Sequence, residues 1–321
     1  MMEYDKKALI IGGLGFIGKN LYLHLTKKGI KAHILSNVSL EKKDPFIESF
    51  NLSNLIVGDI LDQKLLDSII SDYDYVFYLA ALSGAAESLN RPVKDMNVNL
   101  NGVLNLLNSC KNYNPEIQIF FPSSRLVYGK PKYNPVDEKH SLNPESIYAI
   151  HKLTAEYYFL LYYKLYNLRV IIFRISNVYG PYQKPEQQSY GILNKFIYQS
   201  LKGENLTLYG DGKQRRDFLY IDDLLDLYEI LLDNKNLAGN IYNIGYGSGI
   251  SLHNIIINIK KVTPGLSYKF IPWPVTEKKI ETGDYVSDIS LIKKHTHWQP
   301  KIGFEEGITR TMKFYHRFYF Q

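Results

Sequence analysis

The 321 residues suffice for about two domain-sized units, and a single cysteine, Cys110, excludes a disulfide-stapled module and suits a reducing cytoplasm. Hydrophobic residues at 45% and charged residues at 22% allow a sizeable core and exclude global disorder. The net charge of +6 is dispersed: Lys27-Lys28, Lys42-Lys43, Lys260-Lys261 and Lys293-Lys294 lie far apart among acids, which reads as solvated surface and not a nucleic-acid patch, while still suiting an anionic small substrate. No stretch approaches the roughly 18 apolar residues that span a bilayer, and residues 1–7 lack an apolar signal core, so a cytoplasmic protein with no membrane partner is expected. The compositional oddity is 27 Tyr beside 15 Phe and 2 Trp. Tyrosine serves as core filler with a hydrogen-bonding tip, as a stacking surface or as an acid/base, and composition does not choose.

In chain order, residues 7–11 are a short apolar run ending in glycines, and 16–28 then show helical spacing through Ile17, Leu21 and Leu25. Strand-like runs recur at 32–35, 55–57, 75–80, 117–121 and 169–175, with helical patterns at 63–71, 98–111 and 146–166 between them. Strands alternating with helices imply βαβ units, and apolar strands without period-two alternation imply a parallel sheet covered on both faces. Residues 1–175 therefore read as a doubly wound α/β domain. From 176 to 321 the rhythm breaks into turn-rich segments such as Gly210-Asp211-Gly212 and Pro272-Trp273-Pro274, which reads as a second, smaller domain. Within it, 240–244 has the strand character to return to the first sheet. A cleft between the two parts is the expected ligand site.

Gly12-Gly13-Leu14-Gly15-Phe16-Ile17-Gly18 falls where the first strand ends and the first helix begins. Glycines there allow a sharp turn and let the backbone approach a pyrophosphate, whose charge meets the free N–H groups and positive end of the helix. In that context the segment reads as a dinucleotide-binding turn, although Gly12, Gly15 and Gly18 follow G-x-x-G-x-x-G spacing. Tyr148 and Lys152, four apart in a helical pattern, share one face. A phenol titrates near ~10 and is a poor base at neutral pH, but an adjacent ammonium stabilises the phenolate. With 27 tyrosines such a pair also arises by chance, as a surface pair. It gains weight from Pro122-Ser123-Ser124-Arg125-Leu126-Val127-Tyr128-Gly129 at the carboxyl end of a predicted strand, where ligands of doubly wound sheets collect.

Together these residues resemble the extended short-chain dehydrogenase/reductase family, specifically its nucleotide-sugar epimerases, dehydratases and reductases. Ordered matches run along nearly the whole chain: Gly58-Asp59-Ile60, Leu79-Ala80-Ala81, 99–102, 174–181, 210–218, Tyr242-Asn243-Ile244-Gly245 and Gly283-Asp284. The resemblance implies a Rossmann-type sheet with a smaller mixed α/β substrate domain and a catalytic set of Ser124, Tyr148 and Lys152. Tyr148 would exchange a proton with a sugar hydroxyl, at C4, and Ser124 would hydrogen-bond that oxygen. Lys152 would hold the nicotinamide ribose and lower the Tyr148 pKa, with hydride passing between sugar carbon and nicotinamide. By the same resemblance Gly12, Gly15, Phe16, Ile17 and Gly18 cradle the cofactor, Ser36 ends the second strand beside its ribose, and Asp59 and Ile60 contact adenine. Leu79, Ala80 and Ala81 line the cofactor path, and Asn99 is a helix-bending asparagine that helps organise the catalytic region. Asn177 and Arg216 match positions that contact the nucleotide diphosphate, for which an arginine fork is suited. The structural alternative for Arg216 is a salt bridge to Asp217 or Asp222.

Departures narrow the choice. The second strand normally ends in an acid that binds the adenosine ribose, and spacing from Gly18 puts Ser36 there; no arginine adjoins it, although Lys42 and Lys43 are close, so NAD is expected ahead of NADP. Dehydratases of the family carry Thr-Asp-Glu where this chain has Ser124-Arg125-Leu126, so water elimination lacks its proton donor and its base. An arginine that often stands two residues before the C-terminal Gly-Asp and binds phosphate is here Glu281. A nucleotide-sugar 4-epimerase working through a transient 4-keto sugar is the expectation. Its rivals are a C4 dehydrogenase or 4-ketoreductase and a catalytically silent dinucleotide-binding protein. Family members usually dimerise through two helices, placed here at 98–111 and 146–166, so a homodimer is expected. No metal site is expected: His295 and His297 flank Thr296 without cysteine or ordered carboxylates. His151 points away from the face that Tyr148 and Lys152 share, and the aromatic residues from Phe314 to Phe320 read as a docked terminal helix.

Overall fold

The apolar runs of the first half become strands because helices cover both of their sides. The structure, a computed structural model, describes residues 6–37, 54–185 and 191–320. In chain order it contains β1 (Lys7–Ile11), α1 (Phe16–Lys27), β2 (Lys31–Ser36), β3 (Leu55–Val57), α2 (Gln63–Ile69), β4 (Tyr75–Tyr78), α3 (Ala85–Asn90) and α4 (Pro92–Met96). A π turn (Asn97–Asn101) leads into α5 (Gly102–Tyr113), followed by β5 (Gln118–Ser124), α6 (Ile147–Tyr166) and β6 (Arg169–Ile175). These strands form a parallel sheet of seven in the order β10-β6-β5-β4-β1-β2-β3, with β10 (Ile241–Ile244) paired to β6. The fold is thus a Rossmann-type doubly wound α/β sheet. Strand order reverses between β1 and β4, which opens a crevice at their carboxyl ends.

Alternate residues of each strand feed opposite layers. Tyr75 and Phe77 of β4 join the core beneath α1, while Val76 and Tyr78 join the core beneath α5 and α6. Phe77 and Phe120 stack at 4.6 Å, and Tyr228 meets Phe77 edge-on at 5.2 Å. Tyr228 lies on α8 (Ile221–Leu232), so this later helix covers the first sheet.

The second half adds β7 (Asn177–Tyr179), α7 (Ile192–Leu201), β8 (Leu206–Tyr209), β9 (Arg215–Tyr220), β11 (Gly249–Ser251), α9 (Leu252–Val262), β12 (Tyr268–Ile271), α10 (Val275–Lys279), α11 (Ser290–Thr296) and α12 (Phe304–Tyr319). They form a three-stranded sheet, β11-β9-β7, and a two-stranded one, β12-β8. Phe314 and Phe318 of the terminal helix pack on Tyr182, and Tyr315 is fully buried. Among the described residues no helix is long and apolar enough to cross a membrane.

The strand expected at 75–80 ends at Tyr78, and two further boundary differences bear on the site. The strand expected at 117–121 runs on to Ser124, because Pro122, Ser123 and Ser124 pair with Phe173, Arg174 and Ile175. The helical pattern from 98 begins as a π turn, where the Tyr78 hydroxyl donates to the Val98 carbonyl (2.8 Å) and Asn99 donates to Asp95 (2.9 Å). Beneath β5 lies a buried ion pair: Arg174 donates to Glu156 at 2.7 Å, and Glu156 also accepts from Ser123. Breaking such a pair strands a charge in the interior. Arg174→Met is expected to cost about 3–5 kcal/mol, read as a lowered urea midpoint; a midpoint equal to that of the parent protein would contradict this.

Candidate active site

The glycine turn forms one wall of the cleft. Gly12 has φ of +81°, and a Cβ there would stand 2.6 Å from the Ala80 nitrogen; at Gly18 a Cβ would stand 2.5 Å from the Gly13 Cα. The turn is therefore closed to any larger side chain at these positions. Gly15 caps α1 with extended backbone and no side-chain cap, so the helix presents a bare amino end at the cleft, lined by Gly15, Phe16, Ile17 and Gly18. A dinucleotide pyrophosphate fits such an end. Ser36, Gly58, Ile60, Leu79, Ala80 and Ala81 continue the same wall. Asp59 accepts the Leu61 N–H (2.9 Å) and lies 3.4 Å from the Asn37 amide. Lys42 and Lys43 lie outside the described residues.

Opposite, the end of β5 and the start of α6 bring the reactive groups together. Ser146 caps α6 by accepting the Ala149 N–H (3.2 Å), and Ala149, Lys152, Ala155, Glu156 and Phe159 form its buried stripe. Tyr148 and Lys152 thereby face the cleft together with Ser124, as do Asn177 and Arg216 from the second half. Ser124 Oγ accepts the Leu126 N–H at 3.2 Å, which starts the tight turn Arg125–Tyr128. The Tyr148 N–H donates to Ser88 Oγ (3.1 Å). Lys152 donates to the Pro122 carbonyl at 2.9 Å and lies 6.0 Å from the Tyr148 ring centre. Burial brings the Lys152 ammonium down to about 8, while Asp95 and Glu156 pull the other way. His151 does turn from the shared face: its Nδ1 lies 2.6 Å from Asp95 Oδ1, tying α6 to α4. Asn99, on the π turn against α6, is buried and holds the same carboxylate.

The cleft measures about 1150 Å³, and its described lining residues include seven bases, among them Arg125, Lys152 and Arg216, against two acids, Glu277 and Glu281. Neither expected alternative partner takes Arg216. Asp217 is occupied by the N–H groups of Tyr246, Gly247 and Ser287, and Asp222 pairs with Arg310 at 3.2 Å. Arg216 pairs instead with Glu281 and donates to the Gly283 carbonyl (2.7 Å). The sequence flagged Glu281 by position, but nothing in spacing linked it to Arg216. The sequence pattern marks Arg125 only as the place of a missing acid; it is buried, and its guanidinium is drawn down to about 10 by burial and the neighbouring Arg216 charge.

Residues 8–245 match the model of the NAD dependent epimerase/dehydratase family. The chain belongs to that family. A protein of Methanocaldococcus jannaschii provisionally named a UDP-glucose 4-epimerase is 33% identical over 95% of this chain and 96% of its own. A UDP-N-acetyl-alpha-D-glucosaminuronate decarboxylase of Bacillus cytotoxicus is 30% identical over 97% of this chain and 98% of its own. The solved UDP-glucose 4-epimerase of Thermus thermophilus in complex with NAD superposes with a TM-score of 0.86 at 29% identity, covering 97% of this chain and 99% of its own. This family member is an enzyme and uses NAD. Because Lys152 is a cation below about 8 and neutral above it, kcat/KM is expected to fall as pH rises through that value. A pH–rate profile flat to about pH 10 would contradict a role for the ammonium.

Proposed function

We propose that the chain is an NAD-dependent nucleotide-sugar 4-epimerase that passes through a transient 4-keto sugar. The observation that supports this reading is the convergence of Ser124, Tyr148 and Lys152 on one cleft whose other wall is the glycine turn. Gly12, Gly15, Phe16, Ile17 and Gly18 hold the cofactor pyrophosphate, Ser36, Asp59 and Ile60 its adenosine end, and Leu79, Ala80 and Ala81 the path between. NAD, when bound, supplies the hydride acceptor and donor for C4. Tyr148 takes the proton from the C4 hydroxyl and returns it when the opposite configuration forms. Ser124 Oγ, positioned by the Leu126 N–H, hydrogen-bonds the same oxygen. The Lys152 ammonium, fixed on the Pro122 carbonyl, favours the ionised phenol by its charge. Asn177 and Arg216 face the diphosphate, Arg216 while also paired to Glu281. Arg125 and Leu126 follow Ser124 where dehydration would require an acid pair, which disfavours water elimination.

Purified enzyme incubated with UDP-glucose or a related sugar nucleotide is expected to give the C4 epimer without net change in absorbance at 340 nm, as followed by NMR. Net cofactor reduction or oxidation would instead support a C4 dehydrogenase or 4-ketoreductase, and release of carbon dioxide a decarboxylase; either would sink the epimerase reading. Tyr148→Phe is expected to lower kcat by about 100-fold or more, and unimpaired turnover would remove Tyr148 from the reaction.

A homodimer belongs to the same proposal. Ile150, Tyr157 and Leu161 form an exposed apolar stripe on α6, and Leu89, Val93 and Met96 are exposed on the neighbouring α3 and α4. Of the two helices expected to form the contact, 98–111 and 146–166, α5 buries Val103, Leu106 and Leu107 and exposes Tyr113, so the exposed apolar surface that supports the contact lies mainly on α6 with α3 and α4 beside it. Light scattering at micromolar concentration is expected to give twice the chain mass of 37.2 kDa, and a monomer there would refute it.

A further inference from the structure

The residue after Ser124 is an arginine that the reaction above does not use. Arg125 is 9% exposed, lines the cleft, and its guanidinium meets residues of the second half of the chain. There it donates to Thr282 Oγ1 (3.1 Å) and lies over the Tyr285 ring at 5.2 Å. Both partners are neutral. Among the described residues no carboxylate lies within ion-pair distance of Arg125, and Glu281, the acid of this corner, is committed to Arg216. A buried guanidinium with neutral partners beside a second guanidinium is costly until an anion joins it.

We propose that Arg125 selects a nucleotide sugar whose ring carries a carboxylate, and that it pairs with that carboxylate beside the C4 site. This rests on the reading that C4 lies at Ser124 and Tyr148. In that same reading Arg216 is the guanidinium that meets the diphosphate, and Arg125 is the one that adjoins Ser124. The anion that reaches Arg125 therefore hangs from the ring. Glu281 and Asp217 act on Arg125 only through space; sugar hydroxyls add no charge, whereas a carboxylate accepts the arginine fork with paired charge-assisted hydrogen bonds. The contacts to Thr282 and Tyr285 already restrain the fork, so little side-chain freedom remains to be lost on binding.

The test is calorimetric titration of NAD-loaded enzyme with UDP-glucuronate and UDP-glucose, repeated with the thymidine diphosphate pair. The glucuronate is expected to bind at least about tenfold tighter, as one charge-assisted pair provides. Arg125→Leu is expected to lower that preference about tenfold or more, and Arg125→Lys by less; the folded lysine variant, checked by melting, carries the test if the leucine variant does not fold. Equal affinities in the parent enzyme, parallel weakening of both ligands in the variants, or no binding of any of the four would overturn the proposal. Turnover is scored separately. C4 exchange without a carboxylate preference removes the role of Arg125 and leaves the epimerase reading, while a preference without C4 exchange does the reverse.

Discussion

A parallel strand buried on both faces has only its ends free for chemistry, and the rest of this molecule follows from that constraint. Ala8 to Ile11, Tyr75 to Tyr78 and Ile119 to Phe121 are all buried, so their side chains are consumed by the two helical layers. At the carboxyl ends of β1, β4 and β5 the chain leaves the sheet as the glycine turn, as Leu79-Ala80-Ala81 and as Ser124-Arg125. Those three exits line one cleft. The reversal of strand order separates the helices that would otherwise close it.

Charge in the interior follows a second rule, that a buried ion needs a partner. Arg174 and Glu156 satisfy each other under β5, and Glu156 adds a hydrogen bond to Ser123, the neighbour of Ser124. Asp95 is fully buried and receives His151 and Asn99. These pairs hold β5 and α4 against α6 behind the cleft. Lys152 and Arg125 differ: each is buried, and each donates to a neutral oxygen, the Pro122 carbonyl and Thr282 Oγ1 respectively. Both line the cleft, and their carboxylate neighbours, Asp95 and Glu156 for Lys152 and Glu281 and Asp217 for Arg125, act on them only through space.

The tyrosine excess divides along the same lines. Tyr78 and Tyr315 are fully buried with their hydroxyls donated to backbone carbonyls, and Tyr242 meets His295 Nδ1 at 2.8 Å. On α6, Tyr158 and Tyr162 pack against the core while Tyr157, Tyr163 and Tyr166 are exposed. Tyr148, on the same helix, is the one turned to the cleft. Its company is set by residue spacing on a helix, not by tyrosine content.

The features legible in the sequence were those that depend on local geometry. Strand and helix periods, the glycine turn, and the Tyr148–Lys152 spacing on one helix face each leave a pattern within a few residues, because backbone sterics act at that range. The π turn at Asn97–Asn101 is legible only as an asparagine of the family, since the Tyr78 hydroxyl that holds its Val98 carbonyl lies 20 residues earlier in the chain. Tertiary structure alone decided which charges meet. Arg216 finds Glu281 across 65 residues and Arg125 finds Thr282 across 157. Such pairs join side chains from segments with no common period, so no spacing announces them. The tertiary fold alone decides that Arg216 meets a carboxylate, Glu281, while Arg125 meets a neutral hydroxyl, Thr282.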